Sequence, residues 1–264
     1  MTIVVAGGSG FIGTQLSEKL LKLGHTVVIV DIAAPSFTHE ALFFINCNIA
    51  LQPLPYGVLE KADAVINLVG KPINTRWTKK EQEEIRNSRI YSTRHIVETI
   101  AASANKPSCF ICASAAGFYG DTGEELASEK SPKGEGFLAD VVRAWEDEAM
   151  KAESLGVRVI CVRTGLVLGH GGFLSKIRKT AKLGFLLKLR KKDFWMSWIH
   201  EEDIVATYIF ALETNTLQGV FNATAPEQVL HSTFMKVLAK KMKKKLLGTV
   251  PELDHRSGDR CHRL

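Results

Sequence analysis

The chain has 264 residues, 45% apolar and 23% charged, with a formal net charge of +6. That length holds one large α/β domain with a small appendage, and the composition is that of an ordinary globular protein. No apolar stretch approaches the roughly 20 residues a membrane-spanning helix needs. The first residues read as a core strand with no basic n-region or cleavage site, so the expected location is the cytoplasm.

The strongest local signal comes first. Thr2 to Ala6 reads as a strand, Gly7 to Gly13 as a glycine loop, and the stretch to Gly24 as an apolar-periodic helix. Gly8, Gly10 and Gly13 fit G-x-G-x-x-G; Gly7, Gly10 and Gly13 fit G-x-x-G-x-x-G. A second apolar run, Thr26 to Val30, ends in Asp31. Strand, glycine loop, helix, strand and acid in this order form the dinucleotide-binding fingerprint. The glycines let bare backbone approach a pyrophosphate, and the helix N-terminus offers N–H groups and partial positive charge. Asp31 can accept hydrogen bonds from the ribose hydroxyls of NAD and would repel a 2′-phosphate, so NAD is favoured over NADP.

Strand and helix patterns then alternate. Strands are expected near 42–46, over 62–70, 108–114 and 157–164, with helices over 79–104 and 137–154. Such alternation calls for a doubly wound parallel sheet covered on both sides. Cys109 and Cys112 form C-x-x-C, but three residues apart on a strand they point to opposite faces. With five scattered cysteines, neither a disulfide framework nor a metal site is expected. Beyond 165 the expected pieces are a basic amphipathic segment (173–183), an extended piece (196–200), a helix (201–213), a strand (219–223) and a helix (232–242). From Lys243 to Leu264 no apolar period is sustained, and a poorly ordered polar tail is expected. The basic excess is concentrated at 176–192 and 236–245; without interleaved aromatics it reads as a solvated face, with neither nucleic acid nor membrane as partner.

Several motifs point to one family. They are Gly7 to Gly13, Asn67-Leu-Val-Gly70, Arg76-Trp77, Ser88-Arg89 with Thr93, Ser114 to Gly120, Trp145-Glu146, Arg163 to Gly169 and Ser197 to Asp203. Over about residues 1 to 240 the chain resembles the extended short-chain dehydrogenase/reductases. It is most similar to their atypical epimerase branch, whose members are labelled nucleoside-diphosphate-sugar epimerases or cell-division inhibitors. The resemblance implies a Rossmann core over 1–165, to which 197–223 returns. It also implies a small, truncated substrate-binding portion from 166–196 and 224–242.

The resemblance also assigns roles. Gly7, Gly10, Phe11, Ile12 and Gly13 would line the pyrophosphate, and Asp31 and Ile32 would flank the ribose. Asn67, Leu68, Val69 and Gly70 would stand beside the cofactor, with Arg89 reaching toward it or toward the Asn67 loop. Ala113 and Ser114 would lie under the nicotinamide, edged by Arg163, Gly165 and Leu166. The superfamily's Tyr-x-x-x-Lys is missing: alignment on Glu146 puts Leu138 and Val142 in its place, and neither can transfer a proton. Ser114 and Tyr119 are the substitute candidates. Lys71 is a further candidate for a phosphate or substrate contact, whereas His200 and the pair Asp140 and Arg143 read as structural. Two readings follow. One is a nicotinamide-dependent oxidoreductase or epimerase acting on a small hydroxyl- or carbonyl-bearing substrate, anionic like a nucleotide sugar. The other is a non-catalytic NAD(P)-binding sensor. A homodimer would use the helices at 79–104 and 137–154.

Overall fold

In the computed structural model the described residues are 1–182, 185–188 and 193–249. Along the chain come β1 (Thr2–Ala6), α1 (Phe11–Lys22), β2 (Thr26–Asp31), β3 (Leu42–Asn46), β4 (Ala64–Asn67), α2 (Lys79–Ala102), β5 (Cys109–Ala115), α3 (Phe137–Met150) and β6 (Arg158–Thr164). Next are β7 (Leu166–Leu168), α4 (Gly172–Ala181), β8 (Phe185–Lys188), β9 (Trp195–Met196), β10 (Trp198–His200), α5 (Glu201–Glu213), β11 (Gly219–Ala223), β12 (Val229–Leu230), α6 (His231–Met242) and β13 (Lys245–Thr249).

Seven strands form one parallel sheet in the order β11-β6-β5-β4-β1-β2-β3. This is the doubly wound Rossmann arrangement expected from the alternation. The central strands β1, β4 and β5 are nearly continuous apolar runs because both faces are covered. Ile3 and Val5 pack with Leu16 and Leu20 of α1 and with Ile204 and Tyr208 of α5. Val4 and Ala6 face the other way, toward Ile96 and Ile100 of α2 and Trp145 of α3. Cys109 and Cys112 fall on these opposite sides. The chain winds from β1 out to β3, then crosses back to β4 on the other side of β1. That reversal leaves a crevice at the carboxyl ends of β1 and β4, where open α/β sheets bind ligands.

Besides the short strands β7 and β12, which were not expected, three elements differ from expectation. The strand expected over 62–70 is shorter, Ala64–Asn67, with Asp63 and Leu68 at its two ends still donating to the Thr2 and Ala6 carbonyls of β1. The helix expected to reach 154 ends at Met150 and tightens into a 3-10 turn, Lys151–Leu155, closed by Gly156 at φ 81. The tail is ordered at its start: β13 pairs parallel with β8, and Leu246 lies beside Leu186 in a cluster with Ile177, Met235 and Ala239. A two-stranded ribbon leaves almost no period in a lysine-rich sequence. The rest of the tail (250–264) and the basic residues at 189–192 lie outside the described residues.

Candidate active site

The glycine loop is compressed between β4 and α1. Gly7 has φ 77, and a Cβ added there would lie 2.9 Å from the Leu68 carbonyl carbon. One on Gly13 would lie 2.3 Å from the Gly7 oxygen, and one on Gly8 would lie 2.7 Å from Ile29. Gly10 is different: its added Cβ would meet the Gly7 oxygen at 3.2 Å and nothing else. Gly10 is also the N-cap of α1 and places no side chain over the first-turn N–H groups. Gly7 and Gly10 both line a cleft of about 690 Å³, whereas Gly8 packs against β2. Of the loop glycines Gly7 and Gly10 face the cleft, and Gly13 packs against the Gly7–Gly8 backbone.

Asp31, Ile32, Leu68, Val69 and Gly70 line the same cleft. The Asp31 carboxylate ties its walls together: Oδ2 accepts from the Ser9 amide at 3.0 Å and Oδ1 from the Ile32 amide at 2.7 Å. Phe11 turns elsewhere. Its ring lies against Gly171, where an added Cβ would come within 2.4 Å. A bare loop, an uncapped helix start and a carboxylate at the tip of β2 suit a dinucleotide: N–H groups for the pyrophosphate, a carboxylate for the ribose.

Asn67 and Arg89 support the cleft from behind. Asn67 is fully buried. Its Nδ2 donates to Thr93 Oγ1 at 2.9 Å, and its Oδ1 accepts from the Val69 amide at 3.0 Å. Trp145 Nε1 donates to the same Thr93 oxygen at 2.9 Å. Arg89 donates to the Lys71 and Ile85 carbonyls at 2.9 and 3.0 Å, and its guanidinium lies over the Trp145 ring. Desolvation lowers its pKa to about 10. It abuts Gly70, so of the two arms implied for it the structure shows the one toward the Asn67 loop. Lys71 is engaged: its ammonium pairs with Glu81 at 2.8 Å and with Glu84, and these bonds, Glu81 first, raise its pKa.

A second cluster lies at the carboxyl ends of β5, β6 and β11. Ser114 pairs in register with Arg163, and Arg163 with Asn222, so the three form one row across three strands. Arg163 holds Glu146 bidentately, Nε to Oε1 at 2.8 Å and Nη2 to Oε2 at 2.7 Å. Ser114 Oγ donates to Glu146 Oε1 at 2.5 Å. Arg163 Nη1 donates to the Tyr119 hydroxyl at 2.9 Å, and that hydroxyl donates to Asn222 Oδ1 at 2.7 Å. Glu129 then accepts from the Asn222 amide at 2.7 Å. Burial alone would lower the Arg163 pKa, but Glu146 and Tyr119 raise it. The amide of Asn222 is the leading cause of the lowered Glu129 pKa. A buried ion pair this well hydrogen-bonded offsets much of its desolvation cost.

Ser114 and Tyr119 thus belong to one network, already bonded through Glu146, Arg163 and Asn222. Val142 packs with the Phe118 and Tyr119 rings, and Leu138 approaches Gly117. Ala113 packs on the α2–α3 side of the sheet. Gly165 lets β10 come close, since a Cβ there would lie 2.9 Å from the Ser197 oxygen, and Leu166 donates to that oxygen at 2.8 Å. His200 caps α5, accepting from the Glu202 amide at 3.3 Å. Asp140 pairs with Lys133, and Arg143 with Asp147, at the surface. Sequence reasoning overlooked Asn222 and Glu129; they join only through the β6–β11 pairing, which no local motif signals. Glu146 had a signal, the Trp145-Glu146 pair, but its role depends on Arg163.

Comparison with known proteins gives a consistent result. A family model described as the NAD dependent epimerase/dehydratase family matches residues 3–224. The epimerase family protein YfhF of Bacillus subtilis is 33% identical over 241 residues, 91% of this chain and 79% of that protein. The crystal structure of human epimerase family protein SDR39U1 with NADPH superposes with a TM-score of 0.79 at 26% identity, covering 94% of this chain and 83% of that one. UDP-glucuronic acid 4-epimerase from Bacillus cereus, in complex with UDP-glucuronic acid and NAD, shares the fold at 22% identity and a TM-score of 0.80, with coverage of 95% and 87%.

Proposed function

The chain belongs to the NAD-dependent epimerase/dehydratase family of the extended short-chain dehydrogenase/reductases, and from that premise we propose that it is a cytoplasmic nicotinamide-dinucleotide-dependent oxidoreductase or epimerase. Its substrate is a small hydroxyl- or carbonyl-bearing molecule, anionic in the manner of a nucleotide sugar. The observation that carries the reading is the bare Gly7–Gly10 loop opening onto the Asp31 cleft at the start of α1.

When bound there, the nicotinamide supplies a hydride acceptor or donor. The chain's own residues do the rest. Gly7, Gly10, Ile12 and Gly13, with Phe11 contributing backbone, present N–H groups to the pyrophosphate. Asp31 and Ile32 hold the adenosine ribose, and Asn67 and Arg89 fix the Leu68–Gly70 wall. Ala113, Gly165 and Leu166 border the nicotinamide end. Ser114 holds the substrate oxygen, with Glu146 behind it to take the proton and Arg163 fixing Glu146. Tyr119 holds a second proton at its hydroxyl, oriented by Asn222. Asp31 favours NAD over NADP, and the cleft's Lys71 is engaged by Glu81 and Glu84, so it is not offered to a 2′-phosphate. Assembly as a homodimer over α2 and α3 completes the reading.

A second reading has a specific observation in its favour. Both hydroxyls are hydrogen-bonded within the protein, Ser114 to Glu146 and Tyr119 to Arg163 and Asn222, and alignment on Glu146 puts Leu138 and Val142 in place of the superfamily's Tyr and Lys. That suits a non-catalytic NAD(P)-binding sensor. Calorimetric titration of nucleotide-free protein with NADH and NADPH tests the shared premise. Tighter NADH binding that is lost in Asp31→Ala supports the cleft assignment. Turnover of a nucleotide sugar by the loaded protein, lost in Ser114→Ala, then separates enzyme from sensor. Binding of neither dinucleotide overturns both.

A further inference from the structure

The fold changes the meaning of the two basic runs by bringing them together. Residues 172–192 and 229–249 carry 14 Lys and Arg and no Asp or Glu, whereas the remaining residues carry 20 Lys and Arg against 28 Asp and Glu. The molecule is charge-segregated. α4 and α6 cover the same face of the β8–β13 ribbon: Leu186 and Leu246, paired neighbours, pack with Ile177 from α4 and Met235 from α6. The Phe173 ring lies 6.3 Å from that of Phe234.

Helical geometry then sorts α6 into two sides. Phe234, Met235, Leu238, Ala239 and Met242 turn into the cluster. Residues 236, 237, 240 and 241 fall on the opposite side, where Lys236, Lys240 and Lys241 surround Val237, 55% exposed. Lys243 and Lys245 extend the row, and exposed Arg178 and Lys182 add charge from the α4 side. None of these residues is among those that line the cleft, which run from Gly7 to Tyr91.

We propose that the lysine face of α6, with Arg178 and Lys182 beside it, docks the protein peripherally on an anionic lipid bilayer, with Val237 seated at the headgroup boundary. This goes beyond the cofactor reading and does not rest on it. A single-sign cationic surface complements the anionic leaflet. Lysine stems reach toward headgroups while keeping their ammonium groups hydrated. An exposed valine at the centre of such a face gains from a bilayer and gains nothing from a phosphodiester backbone. The described face lacks aromatic side chains for stacking bases and Asn or Gln for reading them. No helix among the described residues is long and apolar enough to cross a membrane, so the contact is with the surface.

The test is sedimentation of the full chain with vesicles of phosphatidylcholine alone and with phosphatidylserine added. Each basic residue beside an anionic surface changes partitioning by about 5-fold. The proposal expects binding only to the phosphatidylserine vesicles, weakened by salt. It expects about a 100-fold loss of partitioning in K236Q/K240Q/K241Q, and a larger loss in Val237→Asp than in Val237→Ala. Circular dichroism and an unchanged melting temperature verify that each variant is folded. Sedimentation with neither vesicle, or equally with both, overturns the proposal. So does complete displacement by duplex DNA with Val237→Asp behaving as wild type, which would assign the face to nucleic acid.

Discussion

Gly10 and Gly13 lie three residues apart and tolerate different changes. Gly13→Ala must drive a Cβ into the Gly7 oxygen, so we expect a loss of about 1–3 kcal/mol in thermal or urea denaturation. Gly10→Ala meets only the Gly7 oxygen, at a tight 3.2 Å, and should cost less than Gly13→Ala, yet its methyl intrudes at the cleft, and NADH affinity should fall when titrated calorimetrically. The Arg163–Glu146 pair offers a second contrast. Arg163→Met leaves Glu146 buried without its partner and should cost about 3–5 kcal/mol. Adding Glu146→Leu should recover part of that loss, because the orphaned charge goes with it; a double variant no more stable than the single one would count against this account. At this scale the sequence was legible where chemistry is local. Gly7, Gly10, Asp31 and Gly70 were readable from their motif and line the cleft together. The Asn67 and Arg89 side chains are spent on Thr93, the Val69 amide and the Lys71 and Ile85 carbonyls, which for Arg89 is the arm toward the Asn67 loop. Local motifs do not reveal which way a polar side chain turns once its neighbours fold.

Helix α5 depends on side chains at both ends. At its C-terminus Arg158 Nη1 donates to the Ala211 and Leu217 carbonyls, each at 3.0 Å, and Nη2 to Leu212 at 3.1 Å. The Ala211 and Leu212 carbonyls lie in the last turn of α5 and have no intrahelical donors. Arg158→Met should therefore cost about 1.5–3 kcal/mol in denaturant unfolding, with the cofactor cleft unchanged. At the N-terminus buried Glu201 accepts from the His170 amide and ring and from Gln15. Burial pushes its pKa up, but those bonds bring it below the ordinary 4.5. A carboxylate lowered in the folded state stabilises above its unfolded pKa and loses that contribution as pH falls through the folded value. Glu201→Gln should thus flatten the loss of stability below about pH 4.5, as read from melting temperature against pH. An unchanged acid limb would place that sensitivity on other carboxylates. None of this was visible in the sequence, since Arg158 and Gln15 lie 53 and 186 positions from their partners.

Across the whole molecule the packing is unequal. The central sheet is buried on both faces, whereas α4, α6, β8 and β13 share one small apolar cluster. Local stability follows buried apolar contact. Amide hydrogens of Met235 and Ala239 should exchange well before those of Val4 and Ile111, as native-state exchange would show. Equal protection would mean that the lobe unfolds only with the core. The Rossmann class was legible because alternation of long apolar strands with helices leaves few topologies open. The β8–β13 ribbon was not, because its strands are short and become apolar-facing only beside α4 and α6. The row Ser114–Arg163–Asn222 has a consequence for biosynthesis. Every residue lining the cleft has been made once Tyr91 is added, but the row is incomplete until Asn222 emerges. At about 5–20 residues per second, the ribosome leaves the nascent chain for roughly 7–26 s with a complete set of cleft residues and no completed row. Over the first part of that interval β4 lacks its β5 neighbour, and the half-made sheet presents an open edge to other nascent chains.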